Sequence, residues 1–262
     1  MVKVSTMLKE LIKYRTLLGA LVTRHLAMRY RGSALGFLWS FLNPLCLMLV
    51  YAVVFKFYIR FNDVDNYTVF LFCGLLPWIW MQSGLIEGAN SIVSSGHLIT
   101  KSMFPAHILP SVSVLTGLFH FLLSLPLLFV FMIFYGIPFH ATMLLLPLLI
   151  GLHAVFIFGF CLLLASFNVQ FRDVQHITAN VLNFIFFLCP ILYPRKVVPE
   201  AFQFTLDLNP FALFIDCYHQ LILDGTLPSA LVVICLLSCT LLVLFLGVLA
   251  YEGHRDTFAE LL

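Results

Sequence analysis

Charged residues are scarce in this chain of 262 residues: they make up 10% of it, whereas hydrophobic residues make up 62%. Soluble domains carry about 25% charged residues. The 28 phenylalanines and a mean hydropathy of +1.05 exceed what the core of a water-soluble protein of this size can bury. The composition therefore excludes a soluble globular domain and predicts that lipid surrounds most of the chain.

Motifs for catalysis and ATP binding are also missing. The sequence has no GxxxxGK(S/T) phosphate-binding loop, and no glycine in it is followed by lysine. HExxH, GxSxG and CxxCH stretches are absent as well, and the seven cysteines form no CxxC pair. We therefore expect this chain to be no enzyme and to hold no cofactor and no metal. Any nucleotide hydrolysis would be done by another chain.

Long stretches without Asp, Glu, Lys or Arg divide the chain, and one of them, 102–171, is 70 residues long. A membrane-spanning helix needs roughly 20 apolar residues. The long stretch therefore predicts two spans, joined at the turn 135–140, which contains glycine and proline. The sequence predicts an all-α integral membrane protein with six transmembrane helices. Their predicted ranges are 34–57, 67–87, 109–134, 142–167, 176–193 and 228–250.

The positions of the basic residues predict the orientation of these spans. If the N-terminus lies in the cytoplasm, six spans return the C-terminus to the same side. Ten of the fourteen Lys and Arg residues then lie inside, and the opposite orientation would reverse this bias. We therefore expect both termini to be cytoplasmic.

The chain outside the spans is expected to form two further features. Residues 1–31 hold seven Lys and Arg residues, and apolar residues recur there with a helical period, which predicts an amphipathic helix on the cytoplasmic membrane surface. Packing of this helix against soluble protein is the alternative, and both can hold at different points along the helix. The segment 194–227 is apolar but interrupted by polar residues and prolines, so we expect two short helices, near 198–206 and 210–223, that enter the membrane from outside and return. An ordinary surface loop is the alternative there. Residues 32–252 then form the transmembrane domain and 253–262 a cytoplasmic tail.

Several short motifs occur in a fixed order along nearly the whole chain. After the basic N-terminal segment, they are RYRGSALGFLWSFLNP (29–44), GLLPWIW (74–80), LITKSMFPAHILP (98–110), FRDV (171–174), CPILYP (189–194), LNPFALFIDCYHQLILDG (208–225) and YEGHRDTFAELL (251–262). Together they resemble the type-2 ABC transporter permeases that export O-antigen, teichoic acid or capsule polysaccharide.

This resemblance implies a homodimer of permeases in the bacterial inner membrane, in contact with membrane lipids and with two ATPase subunits that bind ATP and Mg²⁺. It implies a polysaccharide on polyprenyl pyrophosphate as the substrate, and no nucleic acid partner. The two inner loops would couple the chain to the ATPase, through Ile92, Leu98, Lys101, Arg172 and Asp173. An outer gate would include Asn209, Pro210, Asp216 and His219. Position 219 departs from the family, whose members often carry arginine there.

The boundary between the basic N-terminal segment and the first span suggests a binding role. Arginine offers forked donors suited to phosphate oxygens, so Arg24, Arg29 and Arg31 are candidates for capturing the lipid headgroup. The alternative is that they only set the topology and bind any anionic lipid. Five aromatic residues are candidates for lining the glycan pathway, with an interfacial aromatic belt as the alternative for the tryptophans. They are Phe37, Trp39, Phe41, Trp78 and Trp80.

The leading hypothesis is therefore the permease of a lipid-linked polysaccharide exporter, with O-antigen as the expected polysaccharide. Export of small molecules such as drugs, and export of capsule or teichoic acid, remain alternatives within transport. A membrane enzyme is disfavoured because the sequence has no cluster of carboxylates or histidines.

Overall fold

A computed structural model of the chain describes residues 4–58, 66–96, 98 and 105–261. All regular elements in these ranges are helical. The α-helices are α1 (Val4–Lys13), α2 (Arg15–Tyr30), α3 (Trp39–Ala52), α4 (Tyr67–Ser94), α5 (Ile108–Phe134), α6 (Leu146–Gln170), α7 (Val174–Phe187), α8 (Glu200–Asp207), α9 (Pro210–His219), α10 (Ala230–His254) and α11 (Phe258–Leu261). Short 3₁₀ or π turns at Gly36–Leu38, Val53–Tyr58, Ala141–Leu145, Arg195–Val197, Gln220–Asp224 and Arg255–Thr257 extend or precede some of them.

Five helical stretches in the described part of the chain are long and apolar enough to cross a membrane. They coincide with five of the predicted spans and are Gly36–Lys56, Tyr67–Ser94, Ile108–Phe134, Ala141–Gln170 and Ala230–Thr257. The break predicted at 135–140 is also confirmed, because Gly136 adopts a φ of 69°, which glycine reaches without steric cost.

The remaining predicted span, 176–193, falls on α7, which has only 14 residues and ends at Phe187. At about 1.5 Å per residue such a helix measures roughly 21 Å, shorter than the hydrocarbon core of about 30 Å. The chain turns after Phe187, where the Leu188 and Cys189 amides donate to the Ile185 and Phe186 carbonyls (2.9 and 3.3 Å), and Pro190 has no amide N–H to continue the helix. The predicted boundary at 193 is therefore wrong, and the described structure has a short helix where a full span was expected.

Helix α4 is the axis of the bundle. In its most apolar 18-residue stretch 78% of the residues are buried, whereas 22% are buried in the corresponding stretches of Gly36–Lys56 and Ala230–Thr257. It contacts α3, α5, α6, α7 and α9. The spans that contain α3, α5 and α6 therefore pack around α4, whereas α10 packs on α6, and many large apolar side chains face outward, as expected for a protein in lipid.

The two ends of the chain meet at one end of this bundle. Met7 of α1 and Phe258 of α11 are buried in one hydrophobic cluster with Ile92, Val169 and Tyr251. We call this group the terminal cluster and this end the terminal end. At the far end the Tyr67 hydroxyl donates to the Leu192 carbonyl (2.9 Å), which ties the segment after α7 to the start of α4. Ile92 near the end of α4 and Tyr67 at its start thus mark opposite ends of the bundle.

The N-terminal segment forms two helices rather than the one expected over residues 1–31. They are separated at Tyr14, whose backbone leaves the helical region (φ −94°, ψ 17°). The two helices contact different surfaces. Met7 lies in the terminal cluster, whereas α2 runs along α5, with His25 Nδ1 at 3.4 Å from Thr116 Oγ1. Both helices thus pack against other helices of this chain, and contact of the segment with the membrane surface or with soluble protein stays a prediction.

The two short helices expected in 194–227 are observed as α8 and α9, the second continued by the turn Gln220–Asp224. Asn209 is the N-cap of α9, since its side-chain oxygen accepts a hydrogen bond from the Phe211 amide (3.0 Å). Pro210 occupies the first helical position, where its missing N–H costs nothing. These two predicted gate residues therefore fix where α9 begins.

Candidate functional site

Two cavities lie side by side along α2 and α4. The first, about 480 Å³, is bounded by α2, α3, α4 and α5, and we call it the aromatic cavity. Its volume is within the range of small-molecule sites, about 300–1,000 Å³. Its aromatic and polar lining includes Tyr30, Trp39, Ser40, Asn43, Trp80 and His120.

A hydrogen-bonded group joins three helices at the wall of the aromatic cavity. The Tyr30 hydroxyl lies 2.6 Å from Ser40 Oγ, and Ser40 Oγ lies 3.2 Å from His120 Nδ1. His120 is isolated in the sequence, and its contacts agree with the usual role of an intramembrane histidine, which is to bond across helices. Ring faces beside hydroxyl and amide groups suit a ligand that has both C–H surfaces and hydroxyls, as a sugar has.

The five predicted aromatic residues divide between this cavity and its surroundings. Trp39 lines the cavity and is 47% exposed, whereas Trp80 lines it as a buried ring stacked on Phe121. Phe37 lies beside the cavity, with edge contacts to the rings of Tyr30 and Phe41. Trp78 does not line it, because it is buried against Phe186 of α7.

The second cavity, about 410 Å³, lies nearer the terminal end, and we call it the serine cavity. Its polar lining includes Arg24, His25, Glu87, Ser91, Ser94 and Ser113. The three predicted headgroup residues are therefore placed differently. Arg24 lines the serine cavity, Arg29 lines the aromatic cavity, and Arg31 is exposed at the end of α2.

Arg29 has a partner that sequence reasoning missed. Its Nη1 lies 3.1 Å from Glu87 Oε1 on α4, 58 positions along the chain. Glu87 ends the 21-residue charge-free stretch 66–86, which placed it at a membrane boundary but gave no sign of its partner. This contact joins residues that are distant in the sequence, and so do the contacts of Tyr30 and Ser40 with His120.

Those residues predicted to couple to an ATPase that the structure describes lie toward the terminal end, but not all are on the surface. Arg172 and Asp173 are exposed in the turn between α6 and α7. Ile92 is fully buried in the terminal cluster, because α4 continues to Ser94 instead of ending at 87. Leu98 lines the serine cavity, and Lys101 lies outside the described residues.

A charged network occupies the far end. The Arg195 guanidinium contacts the carboxylates of Asp207 and Asp216, the latter at 3.4 Å. Burial raises the pKa of Asp216 to about 6, although Arg195 opposes this shift. Asp216 and His219 line a cavity of about 430 Å³ together with Arg195 and Lys196.

His219 is packed as a neutral ring. Its Nε2–H donates to the Phe70 carbonyl (3.1 Å), and the ring stacks on Phe70 with centroids 4.2 Å apart. Burial lowers the pKa of His219 to about 4, so the side chain carries no charge near neutral pH. Arg195 therefore supplies the permanent positive charge beside Asp216.

Comparison with known proteins gives relatives that match this chain over nearly the whole length of both sequences. The chain is 40% identical to the O-antigen export system permease protein RfbA of Myxococcus xanthus, over 97% of this chain and 98% of the relative. It is 32% identical to the protein of the same name from Klebsiella pneumoniae (94% and 95% covered) and 23% identical to the polysialic acid transport protein KpsM of Escherichia coli (90% and 93%). The family model described as ABC-2 type transporter matches residues 16–223. The chain therefore belongs to the ABC-2 type transporter family.

Proposed function

We propose that this chain is the membrane-spanning permease of an ABC exporter that carries O-antigen polysaccharide across the bacterial inner membrane. The observation that carries this proposal is the 40% identity to an O-antigen export permease over nearly the full length of both chains. The polysialic acid transport protein KpsM is 23% identical, and the capsule polysaccharide export inner-membrane protein CtrC of Neisseria meningitidis matches 36% of this chain. This difference favours O-antigen over capsule as the substrate.

The energy for transport comes from a separate ATPase chain. No phosphate-binding loop occurs in the sequence, so ATP and Mg²⁺ would be bound by that partner. The exporter would comprise two copies of this permease and two ATPase subunits. The exposed turn with Arg172 and Asp173 supports a docking surface at the terminal end.

The chain crosses the membrane six times in this proposal, with α7 as a short fifth crossing completed by the turns after Phe187. The meeting of Met7 and Phe258 in one cluster supports an even number of crossings. Ten of fourteen basic residues lie on the terminal side in this arrangement, which supports a cytoplasmic location for both ends of the chain.

The substrate path begins at the arginines of α2 and continues through the aromatic cavity. Arg24 and Arg29 line adjoining cavities, where they suit the pyrophosphate of a lipid-linked glycan. Trp39 and the hydroxyl groups of Tyr30 and Ser40 offer the sugar a ring face and hydrogen-bonding partners. The segment with α8 and α9 closes the far end and would act as the outer gate.

Deletion of the gene in its own organism tests this function. We expect O-antigen to disappear from the cell surface and lipid-linked O-antigen to accumulate inside, and a plasmid copy should reverse both effects. The tagged chain should also co-purify with an ATPase, and ATP hydrolysis should be absent from the permease alone. Unchanged surface O-antigen in the deletion strain would refute the proposal.

A further inference from the structure

The aromatic cavity and the serine cavity share one wall. Ile86 lines both cavities, and its neighbour Glu87 lines only the serine cavity. Arg29 lines the aromatic cavity and reaches Glu87 at 3.1 Å. The ion pair therefore joins α2 to α4 at the place where the two cavities adjoin.

We propose that Glu87 is a displaceable counter-ion that holds Arg29 until the anionic headgroup of the substrate takes its place. The exchange of partners would free α2 from α4 at this point and open the serine cavity to the aromatic cavity. This inference rests on the proposed function, and it assigns Glu87 a role in admitting the substrate. No covalent step is involved.

The charges of the two linings support an exchange. Among the described lining residues Glu87 is the one carboxylate, and Arg24 and Arg29 are the two permanent cations. While Glu87 is bound to Arg29, Arg24 has no carboxylate partner among the residues that line the two cavities. A pyrophosphate carries more negative charge than Glu87 and offers several oxygens to the guanidinium fork. It is therefore the stronger partner for Arg29.

The exposure of the pair makes the exchange feasible. The side chains of Arg29 and Glu87 are 45% and 31% exposed, and such accessible ion pairs contribute little to stability. A fully buried pair would resist separation, because one charge would be left without a partner in a medium of low dielectric. An accessible pair separates at small cost when a competing anion arrives.

A simple brace between α2 and α4 is the competing explanation, and a double-mutant cycle separates the two. The full chain is placed in phosphatidylcholine nanodiscs, and binding of polyprenyl pyrophosphate is measured beside that of uncharged polyprenol. The variants are Glu87→Gln, Arg29→Gln and the double variant. Asp256→Asn is the matched control, because Asp256 pairs with Arg255 at 3.4 Å but lines neither cavity.

We expect Glu87→Gln to bind the pyrophosphate lipid on the order of fivefold more tightly, a factor equivalent to about 1 kcal/mol. Arg29→Gln should bind it about fivefold or more weakly. In the Arg29→Gln background, Glu87→Gln should change binding less than about twofold, because the competition needs the arginine. Asp256→Asn should match the wild type, and polyprenol binding should be the same in all variants.

Three results would overturn the inference. Equal binding by wild type and Glu87→Gln would show that the carboxylate does not compete. An equal gain from Glu87→Gln with and without Arg29 would indicate plain charge repulsion. Weaker binding by both single variants, with matching losses of thermal stability, would indicate a brace. If the wild type binds polyprenol as well as polyprenyl pyrophosphate, the proposed substrate class fails instead.

Discussion

Substitution of Gly247 by alanine should separate the two helices α6 and α10, which form the most extensive helix pair in the described part of the chain. A Cβ atom at Gly247 would lie 2.3 Å from the Gly159 carbonyl oxygen, and one at Gly159 would lie 2.8 Å from Leu244 Cα. Both obstacles are backbone atoms, so no side-chain rotation relieves them. Such close approach of backbones is typical of small residues between membrane helices.

The expected cost follows from this geometry. A carbon atom normally stays roughly 3.3 Å or more from a carbonyl oxygen, so the helices must move apart by about 1 Å at Gly247. Overpacking of this kind costs about 1–3 kcal/mol, and separation also weakens neighbouring contacts along the pair. Alanine returns up to about 1 kcal/mol through its higher helix propensity. We therefore expect a net loss on the order of 2 kcal/mol, or roughly 4–8 °C in melting temperature.

Gly151 of α6 and Gly253 of α10 provide the controls, because a Cβ at either would meet nothing within 4 Å. Alanine at these positions should leave thermal stability unchanged or raise it by up to about 1 kcal/mol. The assay is the melting temperature of the purified protein in nanodiscs, with surface O-antigen as the functional readout. If Gly247→Ala melts like the Gly253→Ala control, the described packing of α6 on α10 is wrong.

Three further predictions concern the candidate sites. Trp39→Ala should reduce surface O-antigen several-fold at normal membrane levels, because a ring face of the aromatic cavity is lost, and Trp39→Phe should retain most of it. Equal export by both variants would remove Trp39 from the pathway. Arg172→Ala should lower ATP-driven export without reducing binding of polyprenyl pyrophosphate, since Arg172 is exposed at the terminal end and lines neither the aromatic nor the serine cavity. A loss of lipid binding in this variant would contradict a coupling role. Burial raises the pKa of Asp216 from 3.8 to about 6, so the folded protein binds this proton more tightly than the unfolded chain does. The resulting stabilisation is full below pH 3.8 and is lost as the pH rises through about 6. This difference in pKa corresponds to roughly 3 kcal/mol in the free energy of unfolding. The melting temperature of Asp216→Asn should therefore depend less on pH between pH 4 and 7 than that of the wild type. An unchanged pH dependence would refute the raised pKa of Asp216.

The distribution of charge predicts most of the helices because lipid accepts so few charged groups. The charge-free stretch before Glu87 places a span, and the start predicted at residue 67 agrees with the start of α4 at Tyr67. Hydropathy does not reveal where a helix ends within an apolar stretch. Helix α7 ends before Pro190, whereas Pro44, Pro77 and Pro126 lie inside α3, α4 and α5. Helix α4 continues past Glu87 to Ser94, which brings Ile92 into the terminal cluster. Neither end could be predicted from the local sequence.

The sequence predicts which residues line the candidate sites but not which residues they contact. Arginine at the membrane boundary predicts a phosphate ligand, and Arg24 and Arg29 do line cavities. That Glu87 sits opposite Arg29 depends on how α2 packs along α5 and α4, and no local pattern encodes this contact. The same holds for His120, which lies 90 positions from Tyr30 in the chain and 80 from Ser40.

At the far end of the bundle, the positive charge beside Asp216 comes from Arg195 and not from position 219. Position 219 holds histidine, where the resemblance described above implies an arginine. The structure places the Arg195 guanidinium 3.4 Å from that carboxylate, while the neutral ring of His219 packs on Phe70. Gly74 makes room for this ring, since a Cβ there would lie 3.0 Å from His219 Nε2. Asp216 thus has a permanent cation beside it from Arg195, although the side chain at position 219 carries no charge near neutral pH.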